Sequence, residues 1–215
     1  LEKRVEGIRS ALYAEREKRP RPSLDDKILT DWNGLMIGAL ARAGDVLGEP
    51  SFVQAAERAV QFLQSGLAAD PNALLHRYRD GAAGIEGFAD DYAFLGWGLL
   101  ECHYSTGREQ YLRDAEAVLL AMNRRFRDPE SGALFFTPQD REPFLTRFTE
   151  SVDGALPSGS SVAAYANLLL AELTGSDEAH NAARTGLESV AVRLQEIPTG
   201  HTFWLVALDR LLAGD

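Results

Sequence analysis

The chain has 215 residues, 45% hydrophobic and 25% charged, enough apolar material for one buried core. Its net charge of -10 leaves no basic excess to neutralise phosphates, which argues against nucleic acid or an anionic membrane as partner. A single cysteine, Cys102, excludes an intrachain disulfide and any Cys-based zinc motif, and fits a reducing, cytoplasmic setting.

No apolar run approaches the roughly 20 residues of a membrane-spanning helix. No basic-then-apolar leader opens the chain. It begins with Leu1 rather than Met, as expected of a piece of a longer protein whose targeting signals lie elsewhere.

Val5, Ile8, Leu12 and Tyr13 recur at helical spacing, so the chain opens on a helix that ends at Pro20 and Pro22. The stretch Asp25-Asp26-Lys27-Ile28-Leu29-Thr30-Asp31-Trp32-Asn33-Gly34 then leads into an apolar helix from about Trp32 to Leu47, with Asp31 as its expected cap and Gly48 as its stop. Pro50 starts a second helix through Val53, Ala56, Val60 and Leu63, and the short turn between the two predicts an αα-hairpin. The plan repeats. Tyr92 to Ser105 and Tyr111 to Phe126 pair about Gly107, with Asp90 or Asp91 as cap. Val162 to Leu173 and Ala179 to Leu194 pair about Gly175, and Thr202 to Leu212 is a final apolar helix. The segments 73–81 and 132–137 read as short extended connections, and Gly81 to Gly87 as a flexible connector. Residues 1–215 are therefore expected to form a single all-α domain of antiparallel helical hairpins with short β-hairpin-like connections. Its eight helices would be part of an α/α toroid, with the loops at one end of the inner helices surrounding a cleft.

Several stretches together resemble the spermatogenesis-associated protein 20 (YyaL-like) family. They are Lys18-Arg19-Pro20-Arg21-Pro22, Asp25-Asp26-Lys27-Ile28-Leu29-Thr30, Trp32-Asn33-Gly34-Leu35-Met36, His76-Arg77-Tyr78-Arg79-Asp80-Gly81, Gly87-Phe88-Ala89-Asp90-Asp91-Tyr92 and Asp153-Gly154-Ala155-Leu156-Pro157-Ser158-Gly159. The resemblance implies a longer protein with a thioredoxin-like domain, absent here, followed by a six-hairpin, glycosidase-like (α/α)6 toroid of which this chain is the later part. It also implies a saccharide as ligand and the thioredoxin-like domain as partner. Two departures fall near the candidate cleft: Ser160 stands where the family has Asn, and Thr149 lies near a family Lys.

Glycoside hydrolysis needs one protonated and one ionised carboxyl group, and 2-epimerisation needs a general base. Asp26 and Asp91 are the preferred carboxylate pair, because each neighbours another acid that can raise its pKa. Glu150 and Asp153 are further catalytic candidates, as is His76, whose imidazole titrates near neutrality. Trp32 and Tyr92 offer faces for sugar stacking, and Asn33, Arg77, Glu86, Ser158 and Ser160 offer polar contacts. Trp97 reads as core and Cys102 as a buried structural thiol. Each acid has a bland reading too, as a helix cap or turn former, and Ser158 and Ser160 read first as caps.

The four histidines show no acid-spaced ligand pattern, so no metal site is expected, and the lack of a Gly-rich nucleotide loop predicts no cofactor. Two functional readings stand: a sugar hydrolase or 2-epimerase-like cleft, and a non-catalytic scaffold for a thioredoxin-like domain. Truncation of a toroid would leave apolar helix faces bare and drive self-association.

Overall fold

The computed structural model describes residues 1–140 and 146–214. Helix α1 (Glu2–Glu17) buries none of its residues. Three hairpins follow: α2 (Thr30–Leu47) with α3 (Pro50–Gly66), α4 (Ala89–Thr106) with α5 (Glu109–Phe126), and α6 (Gly159–Thr174) with α7 (Asp177–Glu196). A single helix, α8 (Thr202–Gly214), ends the chain. Gly48, Gly107 and Gly175 cap α2, α4 and α6 in the left-handed conformation, at φ of 67°, 67° and 72°. Only glycine takes that conformation freely, so three residues close all three hairpins.

The helices divide into two layers. α2, α4, α6 and α8 pack in succession as an inner row, while α3, α5 and α7 each back their own partner. α4 is apolar on nearly every side because α2, α5 and α6 surround it, burying Tyr92, Phe94, Leu99 and Cys102. Desolvation pushes the Cys102 thiol up to about 12, which makes it an inert core group as its context predicts. The α2–α4 contact depends on missing side chains: a Cβ on Gly34 would sit 2.5 Å from the Phe94 carbonyl carbon, and one on Gly98 would sit 2.6 Å from the Gly34 oxygen. A second apolar cluster, centred on Trp204, ties α8 to α6 and α7.

A small antiparallel sheet bridges the first two hairpins. Strand β1 (Ile28–Leu29) pairs with β2 (Leu75–Arg79), which pairs with β3 (Ala82–Glu86) in the register Leu75↔Glu86 and Arg77↔Gly84. The expectation of a flexible connector from Gly81 to Gly87 is corrected here. Asp80 and Gly81 both take positive φ, 52° and 78°, which makes a two-residue hairpin turn and pairs the following residues with β2. The segment 132–137 forms isolated bridges only, Arg127↔Leu134 and Phe135↔Thr149. No helix among the described residues is long and apolar enough to cross a membrane.

Candidate functional site

The N-terminal ends of the inner helices carry the acids, and the chain's own side chains first use them to finish those helices. Asp91 lies in the first turn of α4, where its Oδ2 accepts the Phe88 N–H at 2.8 Å. Its Oδ1 accepts the Asp31 N–H of α2 at 3.0 Å, and the His76 Nδ1 lies 3.0 and 3.1 Å from the two oxygens. One fully buried carboxylate thus serves two helix starts and orients a histidine. Asp153 repeats the device at the next helix pair. Its Oδ1 accepts from the Ser158 N–H and the Ser161 hydroxyl at 2.9 and 2.7 Å, while its Oδ2 accepts the Phe203 N–H of α8 at 2.8 Å.

Asp90, the neighbour of Asp91, is different. Its carboxyl makes no hydrogen bond or ion pair among the described residues and abuts the start of α6, where a Cβ on Gly159 would lie 2.0 Å from its Oδ1. Burial, followed by the negative charges of Glu150, Asp31 and Asp91, pushes its pKa up to about 7. Asp31 is also shifted upward, mainly by burial and then by Asp91. The His76 pKa is raised chiefly by its hydrogen bond to Asp91. Asp90, Asp31, Glu150, Trp32, Phe94 and Ser158 line an open cleft of about 340 Å³ at this end of the inner helices. Trp32 is 61% exposed there, so its ring face is available.

The remaining candidates disperse. Asp26 forms an ion pair with Arg79 at 2.9 Å and does not line the cleft, so the preferred Asp26–Asp91 pair is not brought together. Glu86 pairs with Arg125 at 2.6 Å. Tyr92 is fully buried, with its hydroxyl held by the Leu74 N–H and by Arg125, and offers no face to a ligand. Asn33 donates to the Leu29 carbonyl at 2.7 Å. Arg77 lies mid-strand in β2, one residue from His76 and therefore on the opposite face. Ser158 caps α6 by accepting the Ser161 N–H, as expected. Ser160 instead faces a separate small pocket beside Thr149 and Arg193. Asp31 is not the α2 cap: Leu29 holds that position, and the Asp31 N–H is satisfied by Asp91.

No metal site is expected from the histidine spacing, yet folding brings potential ligand atoms of Asp31, His76 and Asp91 within 4.8 Å of one another. Asp91 is already occupied by two backbone N–H groups and His76, so the cluster is better suited to holding protons than to surrounding an ion. Beside it, Phe88, Phe136 and Phe148 stack with centroids 4.6 and 5.0 Å apart, an aromatic wall that only tertiary structure assembles.

Two layers of hairpins with a cleft at the inner-helix N-termini define part of an (α/α)6 toroid, and solved structures agree. An α-mannanase of Bacteroides thetaiotaomicron superposes with a TM-score of 0.63 at 16% identity, covering 80% of this chain and 47% of that one. Cellobiose 2-epimerase from Bacillus thermoamylovorans gives 0.62 at 15%, covering 75% and 44%. An inactive α-1,6-mannanase variant from Salegentibacter sp., with two consecutive aspartates replaced by asparagine and α-1,6-mannotriose in complex, gives 0.58 at 15%, covering 76% and 47%.

In sequence, the chain resembles spermatogenesis-associated protein 20, as its motifs suggest: it is 30% identical to the Rattus norvegicus protein over 87% of this chain and 25% of that one. It is 29% identical along its whole length to an uncharacterized protein of Caenorhabditis elegans, covering 30% of it. The chain therefore spans about a quarter to a third of these relatives. No protein-family model matches it.

Proposed function

We propose that the cleft binds a saccharide and that Asp90 and Glu150 are its acid–base pair. The observation that carries this reading is the Asp90 carboxyl: desolvated, without a protein partner among the described residues, held near neutrality and facing the cleft beside Glu150 and the bare face of Trp32. An acid with a pKa of about 7 is half protonated at working pH, which suits a general acid. In hydrolysis Asp90 donates its proton to the leaving glycosidic oxygen. Glu150 accepts a proton from the attacking water, whose oxygen forms the new bond to the anomeric carbon. In this scheme Asp91 and His76 are positioning groups, and Asp153 supports the loop that carries Glu150.

The structural neighbours support a saccharide ligand, since they include a mannanase in complex with an oligosaccharide and an enzyme of cellobiose. The inactive mannanase variant lacks two consecutive aspartates, and this chain has the consecutive pair Asp90-Asp91, of which Asp90 lines the cleft.

The test is thermal-shift and Trp-fluorescence titration with mannobiose and cellobiose, followed by reducing-end release. Binding should be weakened by Trp32→Ala, and turnover should fall about 10²–10⁴-fold in Asp90→Asn while binding persists. If no sugar shifts either signal in the parent chain, the reading fails. The scaffold reading would then lead, with the exposed α1 stripe of Val5, Ile8, Leu12 and Tyr13 as the observation in favour of a docked thioredoxin-like domain.

A further inference from the structure

Resting on the saccharide reading, we infer that this cleft selects by charge: it accepts neutral and ammonium-bearing sugars and rejects uronates and other anionic sugars. Asp31, Asp90 and Glu150 line it, and no Lys or Arg does among the described residues. Arginines elsewhere in the chain are engaged with other partners. Arg79 pairs with Asp26, Arg125 with Glu86 and Asp140, and Arg147 lies over the Phe135 ring while donating to the Thr137 carbonyl.

Three inner helices begin at this cleft, and helix N-termini ordinarily attract anions. Here the protein's own groups already occupy several of those donors. Asp91 takes the N–H groups of Asp31 and Phe88, Asp153 takes that of Ser158, and the Ser158 hydroxyl takes that of Ser161. What remains on offer is acceptor-rich: the Asp90 and Glu150 oxygens have no hydrogen-bond donor among the described residues, and each can accept from a sugar hydroxyl or an ammonium group. A ligand carboxylate would find no Lys or Arg among the described lining residues, and would meet like charge across a cleft of about 340 Å³. The nearby His76 is turned to Asp91 rather than free.

The experiment compares three disaccharides with one skeleton: cellobiose, its glucosamine counterpart and its glucuronic acid counterpart, titrated at low and high salt with Trp fluorescence as readout. The glucuronate is expected to bind at least about tenfold more weakly than cellobiose at low salt, the amino sugar at least as tightly as cellobiose, with the differences narrowing as salt screens the field. A glucuronate that binds as well as cellobiose overturns charge selection while leaving the saccharide reading intact. Failure of all three to bind overturns the saccharide reading itself.

The field can then still be read without a sugar. Trp32 is the exposed tryptophan, whereas Trp204 is buried and Trp97 partly so, and caesium should quench it more than iodide. The bias should shrink in the Asp90→Asn, Glu150→Gln double variant. Equal quenching by both ions would overturn the electrostatic premise.

Discussion

Asp90 and Asp91 share one helical turn and differ in fate, because successive residues on a helix point about 100° apart. Asp91 faces three donors and is fully buried, while Asp90 faces the cleft and the bare α-carbon of Gly159. The consequence for stability has a definite sign. The Asp90 pKa rises on folding from an ordinary 3.8 to about 7, so the native state binds more protons than the unfolded chain between those values. Stability is therefore lost as pH climbs through that window and levels off above it. Three pKa units correspond to about 4 kcal/mol at most, and water in the open cleft reduces this to about 2 kcal/mol. Asp90→Asn should therefore unfold at the parent's temperature near pH 4 but about 4–8 °C higher near pH 8, in thermal melts across that range. A variant that is equally stable, or less stable, at high pH would show that Asp90 is not held in the desolvated state described. His76 pulls in the same direction with pH, though through its charged form: its raised pKa adds stability that is fully present below about 6.5 and is lost as pH rises through the folded value.

At the scale of elements, the recurring device is a carboxylate that joins the N-termini of neighbouring inner helices: Asp91 for α2 and α4, Asp153 for α6 and α8. Each helix start leaves N–H groups without intrahelical partners, and a shared acid satisfies two helices while fixing their relative height. Removing it strands several donors at once. Asp153→Ala is expected to cost about 3 kcal/mol, read as the loss in urea or thermal unfolding, since each buried donor left unmet costs about 1–3 kcal/mol. Ser161→Ala, which removes one donor and keeps the carboxylate, should cost under about 1.5 kcal/mol. Equal losses in the two variants would mean that Asp153 does not join the helices.

For the molecule as a whole, the row of inner helices leaves some apolar faces uncovered. Trp32, Met36, Val46 and Leu47 are exposed along α2, Leu205, Val206 and Leu212 along α8, and Val5, Ile8, Leu12 and Tyr13 along α1. Stripes of this extent on several helices exceed the scattered apolar residues of an ordinary surface. The chain should accordingly self-associate, with light-scattering mass rising with concentration and falling back in a Met36→Lys, Val46→Lys variant. A constant monomer mass at high concentration would count against those faces being sticky.

The hairpins were legible in the sequence because their causes are local. Leu47-Gly48, Thr106-Gly107 and Thr174-Gly175 announce left-handed caps, and apolar spacing between them marks each helix. The β2–β3 turn had an equally local signal in Asp80-Gly81, with the following Ala82–Glu86 as its strand. The site was legible only as a district. Acids at Asp31, Asp90, Asp91, Glu150 and Asp153 clearly gather at inner-helix entrances, yet nothing local distinguishes a cap from a free carboxyl. That distinction rests on contacts 15 to 60 residues apart, such as His76 with Asp91 and Asp31 with Asp91. The sequence by itself determined the architecture, since turn chemistry and periodicity act within a few residues. Which acid is saturated and which is left facing the cleft was decided by the packing of α2, α4 and α6, because desolvation and hydrogen-bond supply depend on neighbours that only the folded chain brings together.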